Sequence, residues 1–199
     1  MNPRFQQAIA LIDAENSRDP NVELIDGRPV PRELLYSQRL TEWLLRLDPT
    51  ASEPLQLAAR SQHICRWKIP RAKYPSTRAG YHQWKNDLKK FHADLTSQLL
   101  TQVGYEASAI ARVRALNLKA DFPHDPETRT LEDALCLMFL EFQFGPLAEK
   151  AESEKVINAL RKSWAKMSPN ARAAALGLPF STAQQALLER ALADNQVTS

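Results

Sequence analysis

The sequence predicts an all-α protein, a single bundle of about eight or nine helices. Apolar residues recur at intervals of three and four along most of the chain, which is the period of an amphipathic helix. Only five of the 199 residues are glycine, and prolines stand mostly where the apolar-periodic segments begin. No segment shows the strict alternation of a strand, so we expect no sheet. An apolar share of 44% and a charged share of 25% are typical of a globular domain, and the length predicts one domain over residues 1–199.

Five helices are predicted in the first part of the chain, each from a start or stop signal beside an apolar stripe. The first begins at Pro3, the second at Pro31, the third runs from Glu53 to about Trp67 behind the cap Ser52, the fourth runs from Thr77 to Val103 before Gly104, and the fifth covers 107–118.

Four more helices follow, again marked by capping residues. Asp125 and Pro126 open the sixth, which continues to about Phe142; Ser153 opens the seventh, Ser168 with Pro169 the eighth, and Ser181 with Gln184 forms a capping box on the last. We expect residues 31–145 to form the core of the bundle and residues 153–195 to complete it. The tail after Asn195 is expected to fray.

The ends and the apolar runs of the sequence predict a cytoplasmic protein without a membrane partner. The N-terminal segment meets Asp13 too early for a signal peptide, and the longest apolar run, Ala134–Leu140, is too short to span a bilayer. Cys65 and Cys136 lie in apolar helical context without metal-ligand spacing, so we expect buried, reduced thiols.

Several polar residues lie on helices that are otherwise predicted to be buried. The third and sixth helices are apolar on nearly every side, which places His63, Glu132 and Asp133 among apolar neighbours. His92 lies at the edge of the apolar stripe of the fourth helix. Because buried polar groups need partners, His63, His92 and Asp133 are predicted to form an interior polar cluster.

Positive charge is concentrated in one segment. Residues 66–90 carry eight lysines and arginines but one acid, Asp87, although the whole chain is only +3. This local excess indicates an anion-facing site. Part of it is a basic seam at helical spacing, and part flanks the proline-limited loop before the fourth helix. The seam is Arg78, His82, Lys85, Lys89 and His92; the loop cations are Arg66, Lys68, Arg71 and Lys73.

From Tyr36 to Leu140 the chain resembles the uncharacterised family catalogued as domain of unknown function 4202. The motifs that carry this resemblance are QHICRW (62–67), IPRAKYP (69–75), GYHQW (80–84), FHA (91–93) and LEDALCLMFLE (131–141), with KSWAKMSP (162–169) beyond them. The resemblance implies kinship without an assigned activity.

A second resemblance, to the HD superfamily of metal-dependent phosphohydrolases, lies in the segment from Tyr36 to Trp67 and implies an HD-like helical bundle. In that superfamily the ligands follow the order His, His-Asp and a distant Asp. This chain has Tyr36 or Ser37 at the first position and Ile64 after the second histidine. His63 and Asp133 match, and His92 corresponds to an additional histidine of some members.

The HD resemblance implies a site of three ligands, His63, His92 and Asp133, for a divalent metal such as Mn, Zn or Fe. Hydroxide bound to that metal would attack the phosphorus of a nucleotide or another phosphorylated small molecule. Asp133 and Glu132 are the candidate catalytic residues. The substrate-binding candidates are Arg66, Arg71, Lys73, Arg78, Lys85 and Lys119, the last lying where HD enzymes often have another histidine.

Four alternatives stay open from the sequence. The two histidines and Asp133 would, without a metal, simply bind one another or the backbone, and Asp133 would cap its helix if that helix began at Thr130. A catalytically inactive, HD-like nucleotide- or RNA-binding protein would instead use aromatic residues between the cations for stacking. Of these aromatic residues, Tyr81 and Trp84 fit a core stripe better. The last three helices, finally, are also compatible with a protein-interaction module.

Overall fold

The structure, a computed structural model, describes residues 2–193. The chain divides into two compact units, here called unit 1, which ends at Thr128, and unit 2, which begins at Arg129. Both are built from helices, which confirms the predicted all-α class. The predicted fraying after Asn195 concerns residues outside the described range.

Unit 1 contains five helices, a β-hairpin and two short 3₁₀ turns. In chain order these are α1 (Pro3–Asn16), β1 (Val22–Ile25), β2 (Arg28–Pro31), α2 (Arg32–Leu47), α3 (Glu53–Ser61), the turns Arg66–Lys68 and Arg71–Lys73, α4 (Arg78–Gln102) and α5 (Ala107–Leu118). The predicted start signals act as caps. Ser52 Oγ accepts the Leu55 amide and Thr77 Oγ1 accepts the Gly80 amide.

The hairpin corrects the expectation that the chain has no sheet. Strands β1 and β2 pair in antiparallel register from Val22 opposite Pro31 to Ile25 opposite Arg28. Asp26 and Gly27 form the turn, with φ angles of 51° and 77°. An Asp-Gly pair is the preferred two-residue hairpin turn, because both positions need positive φ. The flanking segments were too short to show an alternating pattern.

Helix α3 ends at Ser61, six residues before the predicted end at Trp67. Cys65 has a left-handed backbone, with φ 53°, and the next residues form a 3₁₀ turn. The Cys65 amide donates to Oδ1 of the fully buried Asn16 on α1, at 3.1 Å. This hydrogen bond from outside the helix stabilises the break, and it places His63 in the turn that follows α3.

The core of unit 1 is centred on α3, which packs against α1, α2 and α5, while α4 packs against α5. Leu55, Leu57, Ala58 and Ala59 are completely buried, as expected for a helix that is apolar on nearly every side. Cys65 is buried with a free thiol, and burial raises the pKa of that thiol to about 11. This confirms the expectation that the thiol is buried and free.

Unit 2 takes up most of α6 and contains the four helices after it. The elements are α6 (Pro126–Met138), a π-helical turn (Phe139–Gln143), α7 (Phe144–Lys150), α8 (Ser153–Lys166), α9 (Pro169–Leu176) and α10 (Thr182–Ala193). The predicted capping box is present, since Ser181 N donates to Gln184 Oε1 and Gln184 N donates to Ser181 Oγ. In the described part of the chain, no helix is both long and apolar enough to cross a membrane.

Candidate functional site

His63 lies on the turn after α3, and 26% of its side chain is exposed. Its Nδ1 is 3.9 Å from Oε2 of Glu33 on α2, and its ring centroid is 6.1 Å from that of His92 on α4. The fold therefore brings together the two histidines that the sequence singled out. Contrary to expectation, His63 is not enclosed within a central helix. Most of its ring is covered by neighbouring atoms, but part of it is accessible to solvent.

Positive charge surrounds His63. Its pKa lies well below the usual value, first because the ring is desolvated and then because Arg66, His92, Lys119 and Lys85 are near. The imidazole is consequently neutral at pH 7. Three of the predicted substrate-binding cations thus act electrostatically on one partly exposed ring. We call Glu33, His63 and His92, with these three cations, the histidine site.

His92 is buried, and the position of its proton follows from one contact. Its Nδ1 lies 2.7 Å from the carbonyl oxygen of Ile64, which only accepts hydrogen bonds. Burial lowers the pKa of His92 to about 4, so the ring is neutral at pH 7 and Nδ1 carries its hydrogen. Nε2 therefore keeps a lone pair, and this buried atom has no hydrogen-bond partner among the described residues.

Glu33, which the sequence analysis did not single out, completes the contact with His63. It is only 5% exposed, its backbone amide donates to Asp19 Oδ2 at 3.0 Å, and its own Oε2 has no hydrogen-bond partner in the described chain. Burial raises its pKa to about 7 against the lowering effect of Arg66. An acid in the first turn of a helix is common for electrostatic reasons, so its sequence position gave no functional signal.

Behind the histidines lies a buried polar network that sequence reasoning also missed. Asn117 Nδ2 donates to Ser61 Oγ at 3.0 Å and to Thr96 Oγ1 at 3.4 Å. Thr96 in turn donates to the carbonyl oxygen of His92, and Gln62 Nε2 donates to the carbonyl oxygen of Asn117. We call Gln62, Asn117 and His92 the acceptor residues, because Oε1, Oδ1 and Nε2 have no hydrogen-bond partner among the described residues.

Four of the predicted substrate-binding cations, which lie in or just after the loop before α4, divide into two groups. The Arg66 guanidinium lies over the Trp84 ring, 4.9 Å from its centroid, within the histidine site. The Arg71 guanidinium instead donates to the carbonyl oxygens of Tyr74 and Pro75, at 2.8 and 2.7 Å, and so holds its own loop. Lys73 and Arg78 are exposed. Nothing in these contacts connects the last three residues with His63.

The aromatic residues of α4 correct a second expectation. Tyr81, predicted to belong to the core stripe, is 43% exposed, and Lys85 Nζ lies 5.6 Å from its ring centroid. Trp84 is half-buried and donates through Nε1 to the carbonyl oxygen of Ile69 at 2.9 Å. The helical periodicity was correct, but Tyr81 and Trp84 near the start of α4 are not buried, whereas Leu88, Ala93 and Leu100 farther along the helix are.

Glu132 and Asp133, the candidate catalytic residues, belong to unit 2 and have partners there. Asp133 Oδ1 accepts the Ser168 amide at 2.8 Å, and Glu132 Oε1 accepts from Lys166 Nζ at the same distance. Since α6 begins at Pro126, Asp133 lies beyond its first turn and does not cap it. No group of three or more His, Cys, Asp or Glu side chains within residues 2–193 is arranged to hold a metal ion.

The comparisons with known proteins establish the family. The family model described as "Domain of unknown function (DUF4202)" matches residues 6–188. The chain therefore belongs to this family, and the match extends well beyond the segment whose motifs first indicated it. Neither the curated proteins nor the solved structures contain a match.

Proposed function

We propose that unit 1 binds a phosphorylated small molecule, such as a nucleotide, at the histidine site. The observation that supports this proposal is the surroundings of His63. A neutral, partly exposed imidazole lies where Arg66, Lys85 and Lys119 all act on it electrostatically. Such a position favours an anion, and a phosphate group offers the several acceptor oxygens that guanidinium and ammonium donors bind.

Phosphate binding would also reduce the electrostatic repulsion among the positively charged groups around His63. Each cation lowers the pKa of His63 because it disfavours a further positive charge. A bound phosphate would offset that charge, and the His63 ring would then donate a hydrogen bond to a phosphate oxygen. Glu33 opposes the anion only when it is ionised. Its pKa of about 7 means that it is partly protonated under neutral conditions.

The test is calorimetric titration of the full-length protein with inorganic phosphate, AMP and ADP at low ionic strength. Arg66→Gln should weaken binding of each phosphate at least tenfold, because charge-assisted hydrogen bonds contribute about 1.5–3 kcal/mol. Lys68→Gln is the matched control, since Lys68 lies in the same 3₁₀ turn but pairs with Glu15 Oε2 at 3.4 Å. We expect less than a twofold change for this control.

Arg66→Gln also removes the Arg66–Trp84 contact, which could disturb the local structure. A second variant at a different residue is therefore needed. His63→Gln keeps a polar side chain at the partly exposed position and should also weaken phosphate binding. Wild-type protein that binds none of the three phosphates at millimolar concentration would refute the proposal. If Lys68→Gln lost as much phosphate affinity as Arg66→Gln, the binding would depend on overall charge and not on a specific site.

Phosphohydrolase activity is the second candidate, and the Glu33–His63 pair favours it. A carboxyl group whose pKa is about 7 lies 3.9 Å from His63 Nδ1, and a general acid is most effective when its pKa is near the working pH. A water molecule would attack the phosphorus of a phosphate ester as the bond to the leaving oxygen breaks, and protonated Glu33 would donate its proton to that oxygen. One proton of the attacking water would then return to Glu33, and the products would be an alcohol and inorganic phosphate. The divalent metal implied by the HD resemblance stays a prediction. No step of the reaction is assigned to it.

Turnover of a nucleotide panel, measured with chelator and with added Mn or Zn, tests this second candidate. Glu33→Gln should lower turnover about a hundredfold, which is typical for loss of a general acid. Glu42→Gln is the control, since Glu42 is an exposed acid on the same helix. Binding without turnover under every metal condition would leave the binding function alone.

A further inference from the structure

The orientation of the acceptor residues is fixed by their hydrogen bonds. Ser61 Oγ donates to the Leu57 carbonyl and Thr96 Oγ1 donates to the His92 carbonyl, so each hydroxyl has used its only hydrogen. Both hydroxyls can therefore only accept from Asn117, which places Nδ2 toward them and leaves Oδ1 as the acceptor. If this amide were reversed, Asn117 Oδ1 would face the two hydroxyl oxygens, and no hydrogen would lie between these three acceptors.

Hydrogen bonds fix the orientation of the other two acceptor residues in the same way. Gln62 points Nε2 at the Asn117 carbonyl, so its Oε1 is the acceptor. His92 points Nδ1–H at the Ile64 carbonyl, so its Nε2 has the lone pair. All three side chains are at most 3% exposed. The buried atoms without partners in this network are thus all hydrogen-bond acceptors, and each lacks a donor.

This one-sided composition matters because a buried acceptor without a donor raises the free energy of the folded state, and few such groups occur in native proteins. The network adjoins the histidine site at two points. The His92 ring contacts the His63 ring, and Gln62 directly precedes His63 in the chain. The cations provide donors for a phosphate. The acceptors would pair with hydroxyl or amino donors, which a plain phosphate or alkyl phosphate does not carry.

We infer that the ligand of this site carries hydroxyl or amino donors close to its phosphate, and that these donors pair with His92 Nε2, Gln62 Oε1 and Asn117 Oδ1. This inference rests on the proposed function and narrows it to a donor-rich phosphate ester. Two sources supply such donors, the hydroxyl groups of a sugar or polyol phosphate and the exocyclic amine of a nucleobase. Both present N–H or O–H groups to acceptors whose orientation is already fixed.

Matched pairs of ligands test the inference on the wild-type protein without any variant. Glycerol 3-phosphate and propyl phosphate have the same number of carbons and the same ester, but only the first has free hydroxyl groups. We expect it to bind at least fivefold more tightly by calorimetry, as one additional hydrogen bond would give. AMP against purine riboside monophosphate, which lacks the amino group, tests the base. AMP against its 2′,3′-dideoxy analogue tests the sugar.

A variant then locates the pairing. Gln62→Met removes the acceptor with little change in side-chain length, and it should reduce the preference for glycerol 3-phosphate over propyl phosphate by at least fivefold. Gln56→Met is the control, because Gln56 lies on α3 and bonds the Ala51 carbonyl. It should keep the wild-type preference.

The outcomes separate the inference from the proposed function. If propyl phosphate and glycerol 3-phosphate bind equally and neither nucleotide pair differs, the inference is wrong, while the phosphate site stands. If no phosphate binds, the proposed function fails first. If Gln62→Met folds, as judged by circular dichroism and thermal melting, and keeps the wild-type preference, the assigned pairing is wrong. A variant that fails to fold leaves the ligand pairs as the deciding measurement.

Discussion

The two units treat their buried polar residues differently. In unit 2, Glu132 and Asp133 are each about 5% exposed or less, and each accepts a hydrogen bond at 2.8 Å. In unit 1, Glu33 and His92 are equally buried, yet Glu33 Oε2 and His92 Nε2 have no hydrogen-bond partner among the described residues. The sequence suggested similar roles for His92 and Asp133. Asp133 has a hydrogen-bond partner within its own unit, whereas His92 Nε2 is left for the ligand under the proposed function.

The comparison shows why burial alone does not identify a site. A buried carboxylate with a backbone amide and a buried carboxyl without a partner are indistinguishable by sequence pattern. They differ in how replacing the side chain would change the stability of the protein. Replacing a paired group leaves its partner unsatisfied, whereas replacing an unpaired group removes a desolvation cost.

The largest expected effect is on Glu33. Its pKa is about 7 in the folded protein and 4.5 ordinarily, so the folded state binds more protons and stability falls as pH rises through this range. At pH 8 the loss is at most about 3 kcal/mol, from 1.36 kcal/mol per pKa unit. Glu33→Gln should therefore be more stable than wild type at pH 8 and similar at pH 4. Urea unfolding at both pH values measures this, and a pH-independent difference would contradict the assigned cause.

Asp133→Ala should lower the free energy of unfolding by about 2 kcal/mol, because the Ser168 amide loses a charged acceptor. Asp133→Asn keeps an acceptor oxygen and should lose less. Phosphate binding at the histidine site should stay unchanged in both variants. Urea unfolding and calorimetry are the measurements. Loss of binding in a fully folded Asp133→Asn protein would contradict the comparison and support the predicted metal site.

His63→Gln should change the free energy of unfolding by less than about 1 kcal/mol, because the ring is partly exposed and lies 3.9 Å from Glu33 Oε2, beyond hydrogen-bond distance. The same variant should lose most of its phosphate affinity. Thermal melting with and without AMP measures both. A loss of stability well above about 1 kcal/mol would show that His63, like Asp133, stabilises the fold, and would contradict the difference between the two residues.

The smallest expected effect concerns RNA, the alternative partner. Tyr81→Ala should weaken binding of a short single-stranded RNA about fivefold without changing its salt dependence, since stacking releases no counterions. Lys85→Ala should reduce the slope of the salt dependence by about 1. Fluorescence anisotropy over a salt titration gives both values. Absence of binding at low salt would eliminate RNA as a partner.

Helix starts were predictable because their causes are local. Ser52, Thr77 and Ser168 each bind an amide three residues ahead, which is visible in the sequence as spacing. The hairpin was predictable in principle from Asp26 and Gly27, whose turn preference is equally local. It was missed because two four-residue strands provide little alternation.

The end of α3 was not predictable, because its cause is distant in sequence. Asn16 binds the Cys65 amide across 49 positions of the chain, and no local signal marks Cys65 for a left-handed backbone. The exposure of Tyr81 has a similar explanation. Helical periodicity identifies an apolar stripe, but it does not show how far along the helix other elements cover that stripe.

By itself, the sequence determined the helical class, the positions where most helices begin, the concentration of positive charge and the family motifs. These depend on residue types and short spacings, which act within a turn or two of backbone. Only the tertiary structure decided that Glu33 joins His63 and His92, and that Gln62 and Asn117 form a network of acceptors beside them. It also decided that Asp133 binds the start of α9. Each of these outcomes depends on contacts between elements far apart in the chain. The packing of those elements determines which groups come within hydrogen-bond distance, and short sequence spacings do not show it.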